Sequence, residues 1–269
     1  MRYCIVFACS GVKYAREALV AAHRAREIMP AYPLVGFADE NAADVFRQSG
    51  VFADVHVIPD PAFSFIDKTR IELPDHYEAG LFLDTDTFLA APVDDIFEVL
   101  TRFDIAVAHE PTRFSFDKTF KHMLDDTAPR AFPEFNTGVI AFRNTPAVRQ
   151  FFADWCADNQ TRLASDKPPS HDQPAFRSTV WRSDLRVYVL PPEFNFRFTM
   201  PSFIGGFSGV RILHGRGRNR AVRARRLSQS AMFPRTHQPL DWPLIALRKR
   251  LRLWRRRQGL TRARLRLAK

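Results

Sequence analysis

Short apolar runs alternate with segments of helical period along most of the chain. Residues 3–9 are almost wholly apolar and read as a buried strand, and Ser10-Gly11 reads as a turn. Ala15, Leu19, Ala22 and Ala25 then recur at helical spacing up to Met29, and Pro30 stops the helix. Residues 34–37 and 55–58 predict the next two strands, and 80–83 a short strand that runs directly into acidic residues. Further strands are expected at 105–108 and 139–142, and helices at 145–160 and 173–182. Residues 187–190 and 210–213 are expected to complete the sheet. This alternation predicts an α/β domain, in which ligands gather at the carboxyl ends of the strands. No internal repeat is visible.

The pattern changes near residue 234. Pro234, Pro239 and Pro243 punctuate the chain, after which Leu244, Leu247, Leu251 and Trp254 fall at helical spacing up to Gly259. Seven basic residues, Arg248 to Arg250, Arg252 and Arg255 to Arg257, surround them. The organisation read from this is one domain over 1–233 and a basic amphipathic tail over 234–269.

Charge sharpens that division. The 269-residue chain carries a formal net charge of +11, yet residues 1–210 hold 21 Lys and Arg against 28 Asp and Glu. Residues 211–269 hold 19 basic residues against the single acid Asp241. The body is therefore mildly acidic and only its end is basic, which excludes a uniformly basic nucleic-acid binder. With 46% hydrophobic residues the chain has material for a sizeable core, which excludes wholesale disorder. Residues 240–269 combine Leu and Trp with eleven basic residues, a composition suited to an anionic membrane surface. Each such residue contributes about 1 kcal/mol near anionic lipid. Nucleic acid is not expected as a partner, because only Trp242 and Trp254 are aromatic there and no base-reading motif accompanies them. The plainer alternative is a solvated helix.

Cys4, Cys9 and Cys156 are odd in number and form no metal-ligand pair, so a reducing compartment is expected. The apolar run at the amino end is too short for a signal-peptide core, and no stretch approaches the ~20 apolar residues that span a bilayer. The expected location is the cytoplasm, peripheral on the inner face of the membrane through the tail.

The sharpest local feature is Asp84-Thr85-Asp86, placed just past a buried strand. Where a strand breaks into a turn, two carboxylates can converge as a hard-oxygen site for Mg²⁺ or Mn²⁺ that keeps positions open for phosphate oxygens. Taken alone, Asp-x-Asp is equally a solvated loop or a turn cap.

Other segments accompany it in order: Tyr14-Ala15-Arg16-Glu17-Ala18-Leu19-Val20, Lys68 sixteen residues before Asp84, Phe135-Asn136-Thr137-Gly138-Val139, Asp172-Gln173, and His214-Gly215-Arg216-Gly217-Arg218-Asn219-Arg220. With these the chain resembles, from Tyr3 to about Arg220, the family 8 glycosyltransferases, retaining enzymes of the GT-A fold that include glycogenin and bacterial lipopolysaccharide galactosyl- and glucosyltransferases. The resemblance implies a single Rossmann-like GT-A domain. It implies that Tyr14 stacks on the uracil of a UDP-sugar, and that Ala8, Lys68, Asp84, Thr85, Asn136, Gly138, Gly217 and Arg220 contact this donor. It further implies that Asp172 and Gln173 are catalytic, and that Mn²⁺ (or Mg²⁺) is held by Asp84, Asp86 and His214. A hexose would then pass to a hydroxyl of a glycan or glycolipid acceptor, with retention, in bacterial surface-polysaccharide or lipopolysaccharide synthesis.

These residues suit those roles chemically. A departing diphosphate needs its charge neutralised by a divalent ion and by cationic side chains. Neutral imidazole is a metal ligand, Gly217 allows close approach to phosphate, and Arg220 offers bidentate pairing. Asn136 can donate to and accept from sugar hydroxyls, and Gly138 leaves room for a sugar ring. Each has a plainer alternative. Asp172 can be an N-cap, Asn136-Thr137-Gly138 an ordinary turn, and Tyr14 and Lys68 surface residues. The chain departs from the family at Glu17, where Gly is usual, and at Arg220-Ala221-Val222, where Lys-Pro-Trp is usual. A sugar-phosphate nucleotidyltransferase, and a non-catalytic adaptor acting through the tail, remain as alternatives. If the reaction inverts, Asp172 becomes the candidate base.

Overall fold

A computed structural model describes residues 2–110, 128–129, 131–166, 168–169, 171–197, 202–204, 209–216 and 235–237. Gly217, Arg220, Ala221, Val222 and residues 238–269 of the basic tail lie outside the described residues.

The sheet begins with strand β1 (Tyr3–Cys9), followed by helix α1 (Val12–Ile28), β2 (Leu34–Ala38), α2 (Glu40–Ser49) and β3 (Asp54–Val57). A 3-10 turn over Phe65–Arg70 leads to β4 (Ala79–Leu83), β5 (Thr87–Leu89), α3 (Asp95–Val99) and β6 (Ile105–His109). Then come β7 (Phe135–Arg143), α4 (Pro146–Leu163), α5 (Gln173–Arg182) and β8 (Val187–Leu190). The short strands β9 (Phe196–Arg197), β10 (Ser202–Ile204), β11 (Ile212–His214) and β12 (Arg235–His237) follow.

Seven strands form the main sheet in the order β3-β2-β1-β4-β7-β6-β8. All run parallel except β7, which is antiparallel to both β4 and β6. The amino end of β7 therefore lies at the edge where its neighbours have their carboxyl ends. A seven-stranded, parallel-dominated sheet between helices is the α/β architecture the apolar runs predicted.

Along β1, Ile5, Phe7 and Cys9 pack in one core cluster while Cys4, Val6 and Ala8 pack in the other, the period of two that a strand buried on both faces requires. The face covered by α1 is lined by Ala15, Ala18, Ala21, Ala22 and Ala25, so helix and sheet approach closely. The opposite face carries Phe135, Phe142, Phe151, Phe152, Trp155 and Phe176, stacked edge to face with centroids such as Trp155–Phe176 4.9 Å apart. Burying each such ring contributes roughly 1.5–3 kcal/mol. All three cysteines are free. Burial pushes the thiols of Cys4 and Cys9 up to about 12, so both behave as small hydrophobes.

Three features depart from the expectations. Helix α2 went unpredicted although its signals are present. Asp39 caps it through Ala42 N–H, Ala42, Ala43 and Phe46 form its buried face, and Gly50 ends it at φ 64°. Strand β7 starts at Phe135, so Asn136-Thr137-Gly138 is strand and not turn. The run at 210–213 does not complete the main sheet. Residues 212–214 form β11, which pairs antiparallel with β5 and parallel with β9 in a separate three-stranded sheet. The reason is β5, an unpredicted strand that turns back from the main sheet and offers β11 an edge. Residues 235–237, beyond Pro234, pair with β10. Among the described residues no helix is long and apolar enough to cross a membrane.

Candidate active site

Strand β4 ends at Leu83, and the chain folds at once into a tight turn. Thr87 N–H donates to Asp84 O at 3.0 Å, and the Thr87 hydroxyl donates to the same carbonyl at 2.7 Å. Asp84 N–H donates to Gly138 O at 2.9 Å, tying the turn to β7. The turn carries Asp84 and Asp86 to the carboxyl edge of the sheet. Strand β11 places His214 opposite Thr87, and Gly215 N–H donates to Asp86 O at 3.1 Å. The ring atom Nε2 of His214 thus lies 3.2 Å from Asp86 Oδ1 and 3.7 Å from Asp84 Oδ2.

One ligand atom from each of Asp84, Asp86 and His214 lies within 4.8 Å of the others, the spacing of a site for a metal ion. The donor set is right for a hard or borderline divalent ion. The ring is also held in place: Nδ1 lies 2.8 Å from Asn195 Oδ1, which leaves Nε2 as the ring atom that faces the carboxylates. Gly138 makes the assembly sterically possible. A Cβ there would lie 2.2 Å from His214 Cε1 and 2.8 Å from Asp84 Oδ2, so the space a side chain would fill is taken by two of the three candidate ligands.

Charge is divided unevenly over this cluster. Burial raises the Asp86 carboxyl, but the hydrogen bond and charge of His214, with Arg216 and Arg197 nearby, overcome it and hold the group below the usual carboxylate range. Asp84 goes the other way: burial, reinforced by Asp86 and Asp172, outweighs Lys68 and His214 and raises it. Lys68 belongs to the 3-10 turn. Its Nζ lies 2.9 Å from Asp172 Oδ2 and 3.4 Å from Asp84 Oδ1, and donates to Thr137 Oγ1 at 3.0 Å. Burial works to lower Lys68, and the two carboxylates raise it more, so it stays charged. Asp172 occupies the N-cap position of α5 but makes no side-chain capping bond; its carboxylate turns to Lys68 instead.

Nine of the residues expected from the sequence are therefore neighbours: Lys68, Asp84, Thr85, Asp86, Asn136, Gly138, Asp172, Gln173 and His214. Asn136 and Gln173 are buried, and each donates to Glu110 Oε2, at 2.8 and 3.2 Å. Ala8 is buried within β1. Tyr14 is exposed on α1, and the Arg216 guanidinium lies 5.6 Å from its ring centroid. Glu17 holds that arginine at 3.1 Å and accepts from the Thr85 hydroxyl at 2.8 Å. The sequence reading missed Glu110, Asn195 and Arg216 as members of the site, and took Glu17 only as a departure from a family pattern. Glu110 and Asn195 follow an ordinary strand and a short turn, and neither lies in a motif. Arg216 was visible inside the His214 segment.

Residues 80–208, which span both aspartates of the turn and the Asp172-Gln173 pair, match the model of a family described as nucleotide-diphospho-sugar transferase. No curated protein matches the sequence. Among solved structures, the galactosyltransferase LgtC in complex with donor and acceptor sugar analogues is 15% identical, with 89% of this chain and 98% of that one covered and a TM-score of 0.56. The glycosyltransferase GlyE of Streptococcus pneumoniae TIGR4 is 15% identical, with 85% and 61% covered and a TM-score of 0.52. The bifunctional glycosyltransferase WbbM is 16% identical, with 74% and 40% covered and a TM-score of 0.52. The chain thus spans less than half of WbbM and nearly all of LgtC. At these identities the likeness is one of fold.

Proposed function

We propose that this chain is a family 8-like glycosyltransferase of the GT-A fold and moves a hexose from a UDP-sugar to a hydroxyl of a glycan or glycolipid, with retention at the anomeric carbon, a reading its partial family match and its topology support. The observation that carries the reading is the Asp84–Asp86–His214 cluster at the carboxyl end of β4, with the imidazole Nε2 facing both carboxylates. Mn²⁺ or Mg²⁺ bound there would neutralise charge on the leaving diphosphate.

The protein's own groups supply the rest. Asp86, held ionised by its cationic neighbours, keeps the ligand set anionic. Lys68 adds a fixed positive charge beside Asp84 and Asp172, where negative charge grows on the departing phosphate. Asp172 faces the anomeric centre as it becomes positive, and Gln173 holds a sugar hydroxyl. In a front-face displacement the bond from the anomeric carbon to the phosphate oxygen breaks as the acceptor oxygen bonds to that carbon. The departing phosphate oxygen takes the acceptor's proton, so no separate base is required. Tyr14 stacks on the uracil once the Arg216 guanidinium has moved from its ring. Residues 240–269 would dock the enzyme on anionic lipid at the inner face of the membrane, in bacterial surface-polysaccharide synthesis.

The test is nucleoside diphosphate release from a panel of UDP-, GDP- and CDP-sugars, with Mn²⁺ and then with EDTA. Slow release of UDP from one sugar, abolished by EDTA, is the expected result. Release that survives EDTA would overturn the metal assignment, and pyrophosphate release would indicate a nucleotidyltransferase.

A further inference from the structure

We propose that Glu110 is a positioning residue which, through Asn136 and Asn195, fixes the tautomer and aim of His214 and couples them to the placement of Gln173. The part that concerns metal affinity rests on the reading above.

Glu110 follows β6 and is 3% exposed. Its Oε2 accepts from Asn136 Nδ2 at 2.8 Å, Gln173 Nε2 at 3.2 Å and the Arg197 guanidinium at 3.2 Å. An ionised carboxylate can only accept, so Asn136 must turn its amide nitrogen toward it. The Asn136 oxygen is thereby left to accept from Gly138 N–H at 3.1 Å and from Asn195 Nδ2 at 2.9 Å. Asn195, having donated, presents its oxygen to His214 Nδ1 at 2.8 Å. That nitrogen must therefore carry a proton, so in the neutral ring it is Nε2 that keeps the lone pair, facing Asp86 and Asp84.

Each link has its polarity set by the one before it, and both outer groups acting on Asn136 are of fixed polarity: a carboxylate at its nitrogen and a backbone N–H at its oxygen. Asn136, Asn195 and His214 are all buried, so reversing any one amide would set donor against donor with no solvent to relieve it. The same Glu110 oxygen holds Gln173, so the candidate ion ligand and the candidate sugar contact share one anchor.

The first measurement is ¹⁵N NMR of the His214 ring in the metal-free full chain, taken at a pH where the ring is neutral, which reads the tautomer without reference to activity. The wild type is expected as the Nδ1–H form, and Asn195→Leu as a mixture of both forms. Glu110→Gln is expected to shift the ring in the same direction by less, because Gly138 N–H still orients Asn136. A His214 ring that remains Nδ1–H in both variants would overturn the proposal.

The second measurement is Mn²⁺ affinity by calorimetry, with Asp86→Asn as the control that must lose binding. Asn195→Leu is expected to weaken binding roughly 10-fold or more, within the range for groups that orient a metal-bound histidine. Glu110→Gln is expected to weaken it several-fold and to lower kcat as well. The double variant is expected to bind no more weakly than Asn195→Leu alone, since the middle link is already gone. Losses that multiply would mean that Glu110 and Asn195 act independently, and would sink the relay. If the wild type binds no Mn²⁺, the metal reading fails while the NMR result still decides the tautomer relay.

Discussion

The two halves of the site handle negative charge in opposite ways. On one side Lys68 stands between Asp172 and Asp84, so the protein supplies its own cation and the group is closed by the fold. On the other, Asp86 and Asp84 face the Nε2 of His214, an arrangement that a proton or a metal ion between them completes. Asp84 belongs to both. The halves therefore differ in where the balancing charge comes from, the fold for the first and, on the proposed reading, a bound cation for the second, and that difference can be measured.

The largest effect is expected from removing the built-in cation. Lys68→Met would leave the buried Asp172 and the partly buried Asp84 without their shared cation, and loss of one partner from such a pair costs about 3–5 kcal/mol. Urea unfolding without metal should show a lower midpoint, and an unchanged midpoint would mean that Lys68 does not hold this half together. Asp86→Asn acts on the other half. It should lower metal-free stability by less than Lys68→Met does, while Mn²⁺ binding is lost and turnover falls on the order of 10²–10³-fold. Gly138→Ala drives a methyl into His214 and Asp84, and should cost about 1–3 kcal/mol. It should also abolish the rise in melting temperature with Mn²⁺; an intact rise would show that the ring can move aside freely.

The smallest effect is in pH. The raised Asp84 keeps its proton in the folded chain at pH values where the unfolded chain has lost it, so metal-free stability falls as pH rises through that window. A metal ion must displace this proton, so the stabilisation by Mn²⁺ should grow as pH rises through that window. Asp86 has the opposite sign: its lowered group stabilises the fold above the ordinary carboxylate range and loses that contribution only in strong acid. Melting curves with and without Mn²⁺ across this range read the difference, and a metal effect that shrinks with pH would reverse the assignment of Asp84.

The ligand half was legible because its residues sit in short, ordered motifs at strand ends: Asp84-Thr85-Asp86 after an apolar run, and His214 after another. The supporting residues were not legible, for a physical reason. Glu110, Asn195 and Asn136 meet only because β6, β7 and the turn after β8 converge, and no local spacing records that. Gly138 was read as room for a sugar ring, whereas the structure shows it making room for His214, a neighbour 76 residues away in the sequence that spacing alone does not reveal. The strand at 210–213 was correctly seen as strand and assigned to the wrong sheet, because the three-residue β5 is too short to show a period. Helix α2 could have been found from its cap at Asp39 and its stop at Gly50.

The reversed strand β7 bears on how the molecule is made. Leu83 pairs with Val139 and Ala79 with Arg143, so the edge of β4 that carries the aspartate turn has no partner until residues 135–143 have left the ribosome. Until then β1, β2, β3 and β4 can assemble as a parallel half-sheet whose β4 edge is bare as well as its β3 edge, the state most open to pairing with a neighbouring nascent chain. His214 is made later still, and the ligand set is complete only when nearly four-fifths of the chain exists. Slow synthesis across the β7 codons would lengthen the exposure of that edge. The yield of soluble protein should be more sensitive to translation rate there than within α1, whose contacts to β1 and β2 are made by segments already synthesised or close behind.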